Sequence, residues 1–293
     1  MRGSPSAVRG PASPVRGSLS LLCAVLVALL VPLGAVCAWA SLEVGSTDRY
    51  VAAVAPLADD PDVRAAIADR VADGVLDDVD AGPFQGTVER LLGRAVLAFT
   101  ETGAFRSVWT TANRAAHDSL DRALNDRSGE PVALDLTPVL AAIKRQLADD
   151  GLPLADRIPV EAVHVVLLEP GQVDTARTAY RWVRGAAVVL PVLALLLAVA
   201  SVALAVRRPG AVLRVGAALA AGGVLLLVAL PVGRAVAGDR LEPELARAAT
   251  GAVYDALTGP LLVTGWAVLG AGVLVGAGAW AWGRGWWGRR GAE

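Results

Sequence analysis

Four stretches of the chain, 19–40, 185–206, 215–233 and 261–282, are apolar throughout and carry no charged side chain. A helix of about 20 residues crosses about 30 Å of hydrocarbon, so each stretch is long enough to span a membrane. Lipid offers no partner to an open backbone N–H or C=O, whereas a helix satisfies both internally. Between the first and second stretches the pattern changes. Apolar and polar residues interleave there at helical or strand period, as in a domain with a buried core.

Ser46, Thr47 and Asp48 open a helical stretch through Tyr50, Val51 and Val54, interrupted by Pro56. Asp60 is placed to cap the next helix, with Pro61 in the first turn, where its missing N–H costs nothing. Val63, Ile67, Val71, Val75 and Val79 follow at every fourth residue and predict one buried stripe, ended by Asp80-Ala81-Gly82-Pro83. A second amphipathic helix presents Val88, Leu91, Leu92, Val96 and Phe99 and stops near Gly103. A third carries Phe105, Val108, Trp109, Ala112, Ala116, Leu120 and Leu124 and ends in the polar turn from Asn125 to Gly129. The period then falls to two at Val132, Leu134 and Leu136. A fourth helix is predicted after Thr137 and Pro138, with Val139, Ile143 and Leu147 inward, and 162–168 reads as a strand able to pair with 132–136. After Pro170-Gly171, a helix over 174–183 runs into the second span. The expected fold is a mainly α membrane protein: four transmembrane helices plus an extracytoplasmic α+β domain, mostly helical with a small two-stranded element.

Arginine near the span ends sets the expected orientation. The tail 1–18 holds Arg2, Arg9 and Arg16, the turn 207–214 holds Arg207, Arg208 and Arg214, and the tail 283–293 holds Arg284, Arg289 and Arg290. These three segments are expected in the cytoplasm, with 42–182 and the loop 234–259 outside. In that loop Asp239, Glu242, Glu244 and Asp255 offset the arginines. Trp280, Trp282, Trp286 and Trp287 suit the inner interface, and Trp39 and Trp182 the outer one. A cleavable signal peptide ending at Ala38-Trp39-Ala40 is the competing reading of the first span; either way the following domain is exported.

Composition agrees with this division. The mean hydropathy of +0.52 is high for a soluble globule. The overall charge of −1 hides 23 Asp/Glu against 14 Lys/Arg over 42–182, a local −9 between basic flanks. An acidic outer domain argues against nucleic acid as a partner. The two cysteines, Cys23 and Cys37, both fall in the first span, about 21 Å apart along a helix and beyond disulfide reach.

Candidate chemistry is sparse. Asp77, Asp78 and Asp80 crowd a helix C-terminus, where the dipole disfavours negative charge and a divalent cation would relieve it. They lack the spacing and terminal Glu of a calcium loop, so solvated acids are the plainer reading. His117 with Ser107 and Asp121 resembles a nucleophilic triad in composition only, since all three lie on one helix with no oxyanion-type motif. His164 sits in a strand. With two histidines and no cysteine outside the membrane, no zinc site, and no cofactor, is expected. Phe105, Trp109, Asn113 and His117 recur at every fourth residue, as a partner-binding ridge or a core seam. In the last span Gly272 and Gly276 form GxxxG, which lets helices approach closely and raises homo-oligomerisation through that span. No ionisable group lies in any span, against an ion or proton pathway.

The run Ser46 to Val63, the Phe105-x-x-x-Trp109-x-x-x-Asn113-Arg114-Ala-Ala-His117 stretch, and Leu134-Asp135-Leu136 before a helix resemble a group of uncharacterised actinobacterial integral membrane proteins. These have one span, an exported domain and three further spans. The resemblance covers most of the chain and implies a bacterial plasma-membrane location, with no activity or site residues attached. The expected function is non-enzymatic: the acidic domain binds a protein partner or envelope component. The alternative is a subunit of a transport complex, on a topology like that of ATPase-coupled permeases.

Overall fold

A computed structural model describes residues 14–76, 85–125, 132–135, 164–168, 170–205, 208–239 and 244–290. In chain order the elements are α1 (Pro14–Val44), α2 (Thr47–Val54), a 3₁₀ turn (Ala55–Asp59), α3 (Pro61–Leu76), α4 (Gln85–Thr100), α5 (Gly103–Asn125), β1 (Val132–Asp135), β2 (His164–Leu168), α6 (Pro170–Ala203), α7 (Arg208–Asp239) and α8 (Glu244–Arg290). Among the described residues four helical stretches are long and apolar enough to cross a membrane: Ser18–Glu43, Asp174–Ala203, Pro209–Gly238 and Ala246–Trp282. That is the make-up of a multi-pass membrane protein. The chain divides into two compact units, one of Met1–Cys37, Ala186–Val228 and Leu261–Glu293, the other of Ala38–Gly185 and Ala229–Pro260.

The first unit is built by close backbone approach. A Cβ at Gly216 would lie 2.6 Å from Gly276 N, one at Gly223 2.7 Å from Leu269 N, and one at Gly272 would overlap Ala220 N. Gly216, Ala220 and Gly223 on α7 therefore mesh with Leu269, Gly272 and Gly276 on α8, with no room for side chains between the two backbones. Two prolines find space in the same way. Gly34 of α1 accommodates Pro191 of α6, whose Cδ would be 3.2 Å from an added Cβ, and Gly222 of α7 accommodates Pro32, at 3.3 Å. Ala24, Val27 and Ala218 form the buried centre, flanked by Val31, Leu197 and Leu219.

One polar node interrupts this unit. Ser20 and Ser201 are 1% and 0% exposed, their hydroxyls 3.2 Å apart, and Arg214 donates to Ser20 Oγ at 3.0 Å. The start of α1, the end of α6 and the start of α7 thus meet. Gly216 beside Gly276 brings the C-terminal half of α8 to the same end. The described parts of the arginine-bearing segments, 14–18, 208–214 and 283–290, belong to the helix ends that adjoin that end of the bundle.

The second unit has a conventional core. Val54, Leu57 and Val63 are buried at its centre. Ser46 caps α2, accepting from Arg49 N, and Asp60 caps α3, its Oδ1 accepting from Asp62 N at 3.0 Å and Val63 N at 3.1 Å. Thr102 does the same for α5 through Phe105 N. Each such cap contributes about 1 kcal/mol. The stripe expected on α3 holds only at its start. Val63 is buried and Ile67 half-buried, but Val71 is 43% exposed, and Ala68 and Ala72 are buried in its place. At about 100° per residue Ala68 and Ala72 lie about 140° and 180° round the helix from Val63, so the buried side changes along α3 and a stripe of every fourth residue does not follow it. Val79, Asp77, Asp78, Asp80 and the helix expected after Thr137 lie outside the described residues.

Backbone hydrogen bonds pair β1 antiparallel with β2, Val132 opposite Leu168 and Asp135 opposite His164. The segment 234–259, expected as an external connection, is mostly helix. The end of α7 and the start of α8 form a hairpin: Arg234 Nε reaches both oxygens of Asp255 at 3.0 Å, Tyr254 Oη donates to Leu230 O at 2.9 Å, and Arg247 Nε donates to Gly238 O. Ala249, Ala252, Val253, Ala256 and Leu257 on α8 then pack on the Val54–Leu57–Val63 centre. Trp39 Nε1 donates to Leu257 O at 2.9 Å, tying the end of α1 to the same helix.

Candidate functional site

Among the described residues of the second unit, a polar constellation lies between α2 and α5. A helix presents every third or fourth residue on one face, so Phe105, Trp109, Asn113 and His117 form a single ridge along α5. The short α2 lies against that ridge. Tyr50 stacks on His117, ring centroids 4.6 Å apart and planes within 25°, and its hydroxyl donates to Asn113 Oδ1 at 3.3 Å. Asn113 Nδ2 donates to Trp109 O, and Trp109 Nε1 donates to Val54 O at 2.9 Å. Phe105 completes the ridge, tilted against Trp109 at 6.1 Å and edge-on to Phe99 at 6.0 Å. The ridge is therefore engaged within the chain, holding α2 and the 3₁₀ turn.

His117 is 5% exposed, and its hydrogen bonding can be resolved by counting protons. Thr47 Oγ1 lies 2.6 Å from Asp118 Oδ1 and 3.1 Å from His117 Nδ1. A hydroxyl has one hydrogen and an ionised carboxylate can only accept, so that hydrogen goes to Asp118. The His117 Nδ1 must then donate to Thr47. Thr47 is thereby excluded as a nucleophile activated by His117, because the imidazole gives it a proton rather than taking one. Burial also pushes the Tyr50 phenol pKa above its usual 10.0. The ordered direction of donation, imidazole to hydroxyl to carboxylate, is that of a clamp.

The other candidates fall elsewhere. Ser107 is exposed, and Asp121 Oδ1 accepts from Asn125 Nδ2, so Ser107, His117 and Asp121 are not assembled. His164 is in β2. No group of three His, Cys, Asp or Glu placed to hold a metal is found among the described residues. Gly272 and Gly276 line the α7–α8 seam and differ in kind. A Cβ on Gly272 would collide with the α7 backbone, whereas one on Gly276 would meet only Leu213 Cδ1 at 3.7 Å.

No family model matches the chain, and no curated protein or solved structure matches it.

Thr47, Tyr50 and Asp118 were not visible as site residues from sequence. Thr47 reads as part of a helix start, and only the fold brings it to His117, 70 residues away. Among the described residues one buried carboxylate atom stands apart: Glu43 Oε2, near the end of α1, has no hydrogen-bond partner there. It is the last residue of the long apolar helical stretch Ser18–Glu43.

Proposed function

We propose that this chain is a non-enzymatic, multi-pass protein of a bacterial plasma membrane, of the actinobacterial kind that its sequence resembles. In this reading both termini are cytoplasmic and residues 42–182 form an extracytoplasmic domain, mostly helical with a small two-stranded element. That domain binds a basic protein partner or envelope component. The orientation rests on the sequence count of arginines in 1–18, 207–214 and 283–293, since cytoplasmic flanks carry the basic excess.

The observation that carries the binding reading is the acidic face of α3. Asp62, Asp69 and Asp73, seven and four residues apart, are all exposed on one side of the helix, while the histidine and hydroxyl groups nearby are committed to the α2–α5 clamp. A ridge of carboxylates recognises cationic surfaces and speeds encounter with them.

The test is photocrosslinking from position 69 in the full-length protein in its native membrane. Recovery of one envelope or membrane protein, lost when Asp62, Asp69 and Asp73 become Asn, supports the proposal. Reproducible recovery of a cytoplasmic ATPase with the whole chain favours the transport-complex alternative. Against that alternative, α6 ends at Ala203 and α7 starts at Arg208, leaving no room for a coupling helix.

A further inference from the structure

The outer helical unit is acidic, yet α6 carries Arg177, Arg181 and Arg184 in the two turns that precede its apolar stretch. Only the first is neutralised. Arg177 donates to Ala123 O at 2.6 Å and Asp174 Oδ1 at 3.4 Å, whereas Arg181 reaches only the Thr178 hydroxyl at 3.3 Å. No acidic partner of Arg181 or Arg184 is present among the described residues. Both are exposed, and so is Trp182, at 76%. The comparison within the unit is Arg234, which Asp255 holds through two contacts.

Depth decides what these cations face. A Cβ at Gly45, just past the apolar stretch of α1, would lie 3.1 Å from Tyr180 Oη, so Tyr180 stands level with the end of that stretch. The chain of α6 descends from there, and Arg184 sits about 6 Å further along the axis at 1.5 Å per residue. That is the depth of the interface, not of open water. Cα–Cβ bonds tilt toward a helix N-terminus, here back out of the hydrocarbon, so both arginines extend to headgroup level while their stems lie along apolar surface. On the same side of α6, Val188, Val192 and Leu195 continue at 67%, 51% and 64% exposure, an uninterrupted face for acyl chains.

We infer that Arg181 and Arg184, at a depth that the exposed Trp182 on another side of the helix also marks, form a binding site for the phosphate of one anionic phospholipid, whose chains lie along the Val188–Val192–Leu195 face. Guanidinium groups match phosphate with paired donors, and indole rings favour headgroup depth. The inference goes beyond the partner-binding proposal and is independent of the orientation of the chain, since anionic lipid is present in both leaflets.

Native mass spectrometry of the full-length protein, released from phosphatidylcholine bilayers doped with phosphatidylglycerol, tests it. Wild type is expected to retain phosphatidylglycerol over phosphatidylcholine. Arg181→Gln with Arg184→Gln is expected to lower that retention at least about tenfold, by loss of two charge-assisted contacts. Arg90→Gln with Arg94→Gln, on exposed α4, changes the net charge equally and is expected to leave it intact. Excess inorganic phosphate should not displace the lipid; displacement would mean a plain anion site and would overturn the inference. Equal retention by the α6 variant, or equal loss in the α4 control, would overturn it as well. Should the Gln pair not fold, Arg181→Ala with Arg184→Ala serves: it is expected to lose the preference for phosphatidylglycerol, and a preference kept at the wild-type level would overturn the inference.

Discussion

The two units of this protein are held together by opposite means. In the bundle unit the tightest contacts are backbone on backbone, Gly216 against Gly276 and Gly272 against Ala220, and the polar contacts named there are confined to Ser20, Ser201 and Arg214. In the helical unit the contacts that set geometry are side chains reaching across helices: Trp109 to Val54, Thr47 to His117 and Asp118, Asp59 to both Arg64 and Arg106. The difference follows from the solvent. Lipid tails are as apolar as leucine, so burying a side chain between two membrane helices gains little, and close van der Waals approach must do the work. Where water surrounds a domain, apolar burial supplies the drive and hydrogen bonds select the arrangement.

That contrast can be broken at either end. The largest expected effect is Trp109→Ala in the helical unit, about 3–5 kcal/mol of destabilisation from the lost ring and the cavity left behind. Trp109→Phe keeps most of the ring but strands the Val54 carbonyl and should cost about 1–2 kcal/mol. Both are read as unfolding midpoints of the purified protein, and a Phe variant as unstable as Ala would mean that the indole N–H rather than the ring dominates.

Next comes the α7–α8 seam. Gly272→Ala forces two backbones apart and should cost about 1–3 kcal/mol, as overpacking does. Gly276→Ala, with only Leu213 Cδ1 in reach, should lie within about 0.5 kcal/mol of wild type. Equal effects at the two glycines, by steric-trapping measurements in bilayers, would show that the GxxxG spacing matters and the geometry does not.

Thr47→Val removes the link between His117 and Asp118 without changing side-chain volume. It should destabilise by about 1–2 kcal/mol, because the buried Nδ1–H loses its acceptor. In the same experiment Asp255→Asn, which breaks an exposed pair with Arg234, should cost under about 1 kcal/mol, with an effect that fades at high salt.

The smallest effect expected is alkaline. The folded Tyr50 phenol has a raised pKa, so its contribution is fully present below the unfolded value near 10.0 and is lost as pH rises through the folded one. The stability decline above that pH should be shallower in Tyr50→Phe. An identical decline in both proteins would assign it to other groups.

How far the sequence reveals each unit also differs. The spans are legible because unbroken apolarity has one physical solution in lipid, and the cap at Asp60 because its reach to Val63 N is local. The start of α8 was read as a loop. Its buried residues Ala249, Ala252, Val253, Ala256 and Leu257 do follow helical spacing, but three of the five are alanine, so the contrast with the polar face is faint. Val71 misled for another reason: the four-residue spacing is real, but the buried side of α3 passes from Val63 to Ala68 and Ala72.

By itself, then, the chain determined which segments are apolar enough to cross a membrane, where acid and base collect, and that helices begin at or just after Ser46, Asp60 and Gly103, since each depends on neighbours a few residues away. Only the tertiary structure decided that Phe105, Trp109, Asn113 and His117 grip α2, that Gly272 needs its missing side chain more than Gly276 does, and that the hairpin of α7 and α8 completes the second unit's core. Those outcomes depend on the distance between atoms far apart in the chain, and periodicity carries no information about which helix a face will meet.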